Sequence, residues 1–271
     1  MVSQTTLVQG WITRLGNADE VDLNSALSRF PELRDAVTPA GWSIEPSEGS
    51  QLRREGRAIT GRFCARLAPP DVSLSADDNE LGLVALSFDT AVDDDEFASS
   101  MEFENLEIPE GIQRRGTGRL IAGGLAQLGL ELGLEHIVLH AENVGRYAWA
   151  RCGFDFLDDE WRTVVVQAAA DFARRLGRTV NLDAVHHPWD IANLPGKDVS
   201  RGDVEDAGGP RAPQGRRDAT WKLGQALLLG PRLDTNHWFG HLPLTDSVHL
   251  DRYLFPHGNA SQASASATPK G

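Results

Sequence analysis

One stretch of this chain leaves few ways to fold: a strand, a glycine-containing turn, a helix, a second strand and a short helix, all between residues 101 and 156. Met101 to Ile108 alternates like a strand. Gly116 to Gly133 then carries apolar residues at helical spacing: Leu120, Ile121, Leu125, Leu128 and Leu132. His136 to His140 is a short apolar strand, and Val144 to Cys152 is a helix stopped by Gly153. Phe154 to Leu157 begins another strand. A strand that returns to its sheet through a helix requires mixed α/β architecture.

The remaining chain is read around this segment. Residues 7 to 37 predict two short helices, the first on Leu7, Ile12 and Leu15, the second on Leu23, Leu27, Phe30 and Leu33. Pro39, Gly41, Pro46 and Gly49 mark a turn-rich link. Ala58 to Leu67 and Leu81 to Val92 predict strands, with acidic loops at Ala76 to Glu80 and Asp93 to Glu96. Downstream come a helix over Trp161 to Leu176, a long loop from Asn193 to Gly215, a helix over Thr220 to Leu229 and a strand over Trp238 to Leu244. The expected organisation is a helical N-terminal segment (1–40), a core (41–165), a C-terminal extension packed on it (166–256) and a disordered Ser/Ala-rich tail (257–271).

Chemistry concentrates at Gln113-Arg114-Arg115-Gly116-Thr117-Gly118-Arg119. Backbone N–H groups at a helix N-terminus, with the helix dipole behind them, favour a phosphate or pyrophosphate. The two glycines permit close approach, and the three arginines add charge-assisted contacts. A Walker loop would end Gly-Lys-Ser/Thr, and here Gly118 is followed by Arg119 and Leu120. A dinucleotide fingerprint would need a small residue where Ile121 stands.

The segment resembles the Gln/Arg-x-x-Gly-x-Gly/Ala signature of the GNAT N-acetyltransferase superfamily. Leu106 to Ile112 is similar to that family's fourth strand and the bend after it. Ile137 to Asn143 is similar to its fifth strand with the trailing asparagine, and Tyr147 to Phe154 to its closing helix and Gly-Phe. The resemblance covers about 55 residues in the family's order. It implies a splayed, mixed β-sheet flanked by helices, with acetyl-CoA or another acyl-CoA held between the fourth and fifth strands. By the same resemblance Gln113 to Gly118 hold the pyrophosphate, with Arg119 beside them, Ile108 pairs with the pantetheine, and Asn143 lies near its end. The implied reaction is direct acyl transfer from a thioester to a primary amine of a small molecule or peptide.

Such a reaction needs a base for the amine and an acid for the thiolate. Glu107 and Glu104 are the candidate bases; on a regular strand, residues an odd number apart face opposite sides, so at most one can face a cleft. The family's acid is often a tyrosine four residues before the Gly of Gly-Phe. That place is Trp149 here, counted by the resemblance among the cofactor-binding residues; Tyr147, two residues earlier on another helix face, is the candidate acid if the helix is shifted, and otherwise water or another group serves. The other reading is therefore a module that binds acyl-CoA or a protein without turnover.

The remaining features narrow the class. A formal net charge of -13 repels a nucleic-acid backbone, so no nucleic-acid partner is expected, although a cationic amine would be attracted. Cys64 and Cys152 make no disulfide framework, and Cys152 is expected to pack as a small apolar group. No signal peptide or membrane span is read, which implies a cytoplasmic protein without a membrane partner. A homodimer is left open. His186, His187, His237, His241 and His249 show no metal-helix spacing, so no metal is expected; His187 or His237 could instead touch substrate. Trp189, Trp221 and Trp238 either wall an acceptor pocket or pack the extension.

Overall fold

The computed structural model describes residues 5–76, 80–91, 99–108, 116–143, 145–231 and 237–255. Two compact units are present: residues 1–139 with 243–271, and residues 140–242.

The first unit opens with α1 (Thr6–Leu15), which buries Val8, Trp11, Ile12 and Leu15 on one face. Thr5 caps it by accepting from the Val8 N–H at 3.2 Å, satisfying one of the open donors of its first turn. A short strand, β1 (Glu20–Asp22), leads into α2 (Leu23–Ala26), capped by Asp22, and then into α3 (Pro31–Val37). Trp11 packs edge-on against Phe30 and Phe88, with ring centroids 5.6 and 5.8 Å apart, and so joins the helices to the sheet.

The sheet of this unit follows: β2 (Ser43–Pro46), β3 (Gln51–Glu55), β4 (Ala58–Ala68), β5 (Gly82–Asp89), β6 (Ser100–Glu107) and β7 (His136–Glu142), whose last three residues belong to the second unit. Its strand order is β1-β3-β4-β5-β6-β7, with β2 beside the end of β4. All pairs are antiparallel except β6 with β7, which the helix α4 (Thr117–Leu132) connects in parallel. This is the mixed α/β sheet flanked by helices that the strand–turn–helix–strand order requires.

The turn-rich link expected over 39–50 instead contains β2. β4 is eleven residues long, so its first half pairs with β3 (Ala58↔Glu55 to Arg62↔Gln51) and its second with β2 (Ala65↔Pro46 to Ala68↔Ser43). One face of the sheet is apolar: Leu52, Ile59, Phe63 and Leu67, then Val84, Leu86 and Phe88, then Met101 and Phe103 are all buried. α4 buries Ile121, Ala122, Leu125, Ala126, Leu128 and Leu132. Leu120, expected on the same stripe, is 64% exposed in the first turn instead. Gly124 lets α4 approach α3 closely, since a Cβ there would lie 2.1 Å from the Ala36 carbonyl oxygen.

The second unit contains α5 (Gly145–Arg151), β8 (Asp155–Phe156), α6 (Asp159–Arg175), α7 (Pro188–Ala192), β9 (Val199–Ser200), α8 (Arg201–Asp206), β10 (Thr220–Trp221), α9 (Leu223–Leu229) and most of β11 (His237–Pro243). α10 (Ser247–Tyr253) returns to the first unit. The segment 193–215, expected as a long loop, holds β9 and α8; Ser200 caps α8 by accepting from Asp203 N–H at 2.9 Å. β11 runs antiparallel to β8, with Gly240 opposite Phe156 and His241 opposite Asp155. Trp238 is wholly buried and Trp221 nearly so, under the Arg201 guanidinium at 4.3 Å, so these two tryptophans pack the unit rather than wall an open pocket. No helix among the described residues is long and apolar enough to cross a membrane. The tail expected to be disordered, 257–271, lies outside the described residues.

Candidate functional site

The end of β6 departs from regular strand geometry. Phe103 lies opposite Leu86 and Asn105 opposite Ala85, so Glu104 is an extra residue that bulges from the ladder. The parallel pairing with β7 runs from Ser100↔His136 only to Phe103↔Leu139, ending where the bulge begins. β6 itself continues to Glu107, held on its other side by β5. A bulge increases local twist and turns a strand away from a neighbour, which accounts for the coincidence.

The bulge corrects the expectation that Glu104 and Glu107 face opposite sides. Past the extra residue Leu106 falls opposite buried Val84, and Glu107 opposite half-buried Leu83. Glu107 therefore shares a face with Glu102 and Asn105, and the Asn105 Nδ2 donates to its Oε1 at 3.1 Å. Glu104 projects to that side too, where Arg62, which stands opposite Ser87, lies 3.4 Å from its carboxylate. Both candidate bases thus belong to one polar face of the sheet. A groove of about 320 Å³ on this face is lined by Arg53, Arg62, Ser87, Asp89 and Glu102.

The first turn of α4 lies over the end of β6. Gly116 takes φ +83°, a backbone conformation favourable to glycine, and no side chain among the described residues caps the helix. Thr117 is buried and Arg119 exposed. A Cβ at Gly118 would meet Ile108 Cδ1 at 3.6 Å and Leu106 Cδ2 at 3.9 Å. Ile108 and Gly118, assigned to pantetheine and pyrophosphate, are thus neighbours. Gln113, Arg114 and Arg115 lie outside the described residues.

Three further sequence candidates fall in the second unit. Asn143 is exposed, with φ +46°, and its carbonyl accepts from the Arg146 N–H at 3.3 Å where α5 begins. Tyr147 is half-buried on α5. Trp149 is buried, edge-on to Phe154 at 5.5 Å, with its indole nitrogen folded back over Gly145. Trp149 is a core wedge. Cys152 is buried beside it in sequence, as a small apolar residue would be.

The second unit also assembles polar groups that the sequence reading did not join. His140 and Glu142 alternate onto one face of β7, and the His237 ring stands 4.0 Å from that of His140 at right angles. One donor atom from each of these three residues lies within 4.8 Å of the others. Burial and the His237 imidazole hold the His140 pKa below the ordinary histidine value, against the pull of Glu142. Ninety-four residues separate Glu142 from His237; the only local signal is the His-Ala-Glu run at 140–142.

His187, the other suggested substrate contact, shares a 2.8 Å hydrogen bond with Asp155 through Nδ1 and stacks on Trp189. Asp190 accepts from the backbone N–H groups of His186 and His187, both at 3.0 Å, so this pair anchors the start of α7.

No protein-family model matches the chain, and no curated protein does. Among solved structures, the crystal structure of nourseothricin acetyltransferase aligns with it at a TM-score of 0.27 and 16% identity. The alignment covers 47% of this chain and 81% of that one. A likeness of that size says nothing of how this chain works.

Proposed function

We propose that the chain is an acyl-CoA-dependent N-acyltransferase of the GNAT type that transfers acetyl, or another acyl group, to a primary amine of a small molecule or peptide. The observation that carries the reading is the bulged end of β6 lying beneath the glycine-opened start of α4. A strand edge offers backbone groups to an extended, amide-bearing ligand, as an added strand would use them. A helix N-terminus offers N–H groups and a positive dipole to a pyrophosphate. Coenzyme A has an amide-bearing arm and a pyrophosphate at its two ends of contact, and Leu106, Ile108 and Gly118 bring the two features together.

In this reading Gly116, Thr117, Gly118 and Arg119 take the pyrophosphate with Gln113, Arg114 and Arg115, and the edge of β6 to Ile108 takes the pantetheine. Glu104 or Glu107 accepts the ammonium proton, so that the neutral amine attacks the thioester carbonyl. A β6 backbone N–H stabilises the oxyanion. The thiolate leaves and is protonated by water. Trp149 in the core of the second unit favours a second reading, a module that holds acyl-CoA without turnover, because indole is no acid.

Calorimetric titration of acetyl-CoA into the full chain and into Gly118→Glu tests the cofactor site. A Cβ at Gly118 meets only ordinary van der Waals contacts, so this variant is expected to fold, which circular dichroism checks, and its carboxylate repels the pyrophosphate. Binding by wild type that the variant loses is the expected result. Thiol release on adding primary amines then separates enzyme from module. Absence of binding to acetyl-CoA and to longer acyl-CoAs would overturn both readings.

A further inference from the structure

The second unit brings two imidazoles and a carboxylate to one point, on a face otherwise made of aromatic rings. His140 Nδ1 lies 3.6 Å from Glu142 Oε1. Its ring is stacked on Phe239, nearly parallel to it, with centroids 4.5 Å apart. The His237 ring stands against Trp161 at 5.2 Å and against Phe239 at 5.3 Å. Three aromatic contacts therefore restrict the two imidazoles to their observed directions. Each imidazole can turn one ring nitrogen to a common point, and Glu142 one carboxylate oxygen.

We infer that His140, Glu142 and His237 form a binding site for a divalent transition-metal ion of the zinc class. Two imidazoles with one carboxylate are a ligand set suited to Zn²⁺, Co²⁺ or Ni²⁺ and poorly suited to Mg²⁺ or Ca²⁺. Tetrahedral ligands at zinc distances stand ~3.3 Å from one another. The 3.6 Å separation of His140 and Glu142 is already close to this. The widest separation, at most 4.8 Å, closes by side-chain rotation without moving a strand. Three protein ligands leave a fourth position for water or a small anionic ligand. Binding requires nothing of the acyl-CoA site, whose residues on β6 and α4 lie in the other unit.

The test uses the untagged full chain, freed of metal by a chelator, and titrates it with ZnCl₂ by calorimetry and with CoCl₂ by visible absorption. One equivalent should bind, and Co²⁺ should give the intense visible bands of a four-coordinate site. His237→Ala should weaken binding on the order of 100-fold, and Glu142→Gln by about 10-fold. His187→Ala, at the Asp155 pair, should leave it unchanged. Glu142 is exposed, so its variant remains informative even if His237→Ala does not fold. Absence of binding, or binding of full affinity in either ligand variant, would overturn the assignment, the latter by placing the ion on other side chains.

Discussion

At the scale of single residues, Arg146 is the group whose burial most needs an account. It is 3% exposed, and burial pulls its pKa down to about 10, so it stays charged at neutral pH. Its guanidinium donates to the Leu229 carbonyl at 3.0 Å and to the Pro231 carbonyl at 3.2 Å, at the end of α9. A cation there meets the negative end of the helix and satisfies carbonyls that have no partner within it. Truncation should therefore cost more than a surface arginine would. Arg146→Ala is expected to lose about 2–4 kcal/mol of stability, read by urea unfolding, and Arg146→Lys part of that, because an ammonium cannot fork between two carbonyls. An unchanged midpoint for the alanine variant would show the contacts to be incidental. Nothing in the sequence marks Arg146, since a lone arginine four residues after a glutamate reads as a surface charge.

At the scale of elements, the sequence predicts long apolar periods and misses what pairing imposes. Val84, Leu86 and Phe88 alternate visibly, and α4 shows its 3–4 spacing, so both elements could be read. β2 is hidden by Pro46, Ser47 and Gly49, turn residues that outweigh a four-residue strand. The bulge at Glu104 leaves no local mark, because it is defined by which residue of β5 stands opposite; parity counted along β6 alone was bound to misplace Glu107. Deleting Glu104 lets Phe103 and Asn105 meet Leu86 and Ala85 in regular succession, so the sheet should survive. Acyl-CoA binding should be lost, while Glu104→Ala, which keeps the extra residue, should still bind. Full binding by the deletion variant would remove the bulge from the proposed site.

A second element-scale expectation concerns α1 and α3. Arg14 of α1 holds Glu32 of α3 with two hydrogen bonds, at 2.8 and 3.0 Å. Burial pushes the Glu32 pKa up, but hydrogen bonding and the charge of Arg14 outweigh it and the net shift is downward from 4.5. A lowered carboxylate pKa means that the unfolded chain takes up the proton first on acidification. The stabilisation is thus complete above the unfolded value and disappears as pH falls through the lower, folded one. The melting temperature of wild type should exceed that of Glu32→Gln by a constant margin near pH 7, and the margin should shrink below about pH 4.5. A margin that stays constant to pH 3 would mean that the pair contributes by packing alone.

For the whole molecule, the two proposed sites have contacts confined to different units, and hydrogen exchange can address each. The β6 edge and the first turn of α4 belong to residues 1–139; His140, Glu142 and His237 belong to residues 140–242. Their separation along the chain is what the sequence could not reveal, because the boundary falls inside β7, between Leu139 and His140 of one continuous strand. A ligand slows exchange where it satisfies amides or suppresses local opening. Acetyl-CoA should slow exchange at residues 104–108 and 116–119, where it would engage backbone N–H groups. Zn²⁺ should act instead on 140–142 and 237–239, by fixing the strands that carry its ligands. Gly118→Glu should abolish the first pattern and keep the second, and Glu142→Gln should keep the first and require more Zn²⁺ to give the second. Acetyl-CoA protection confined to 140–143 would move the cofactor to the second unit, and with it the roles now given to Gly116, Gly118 and Ile108.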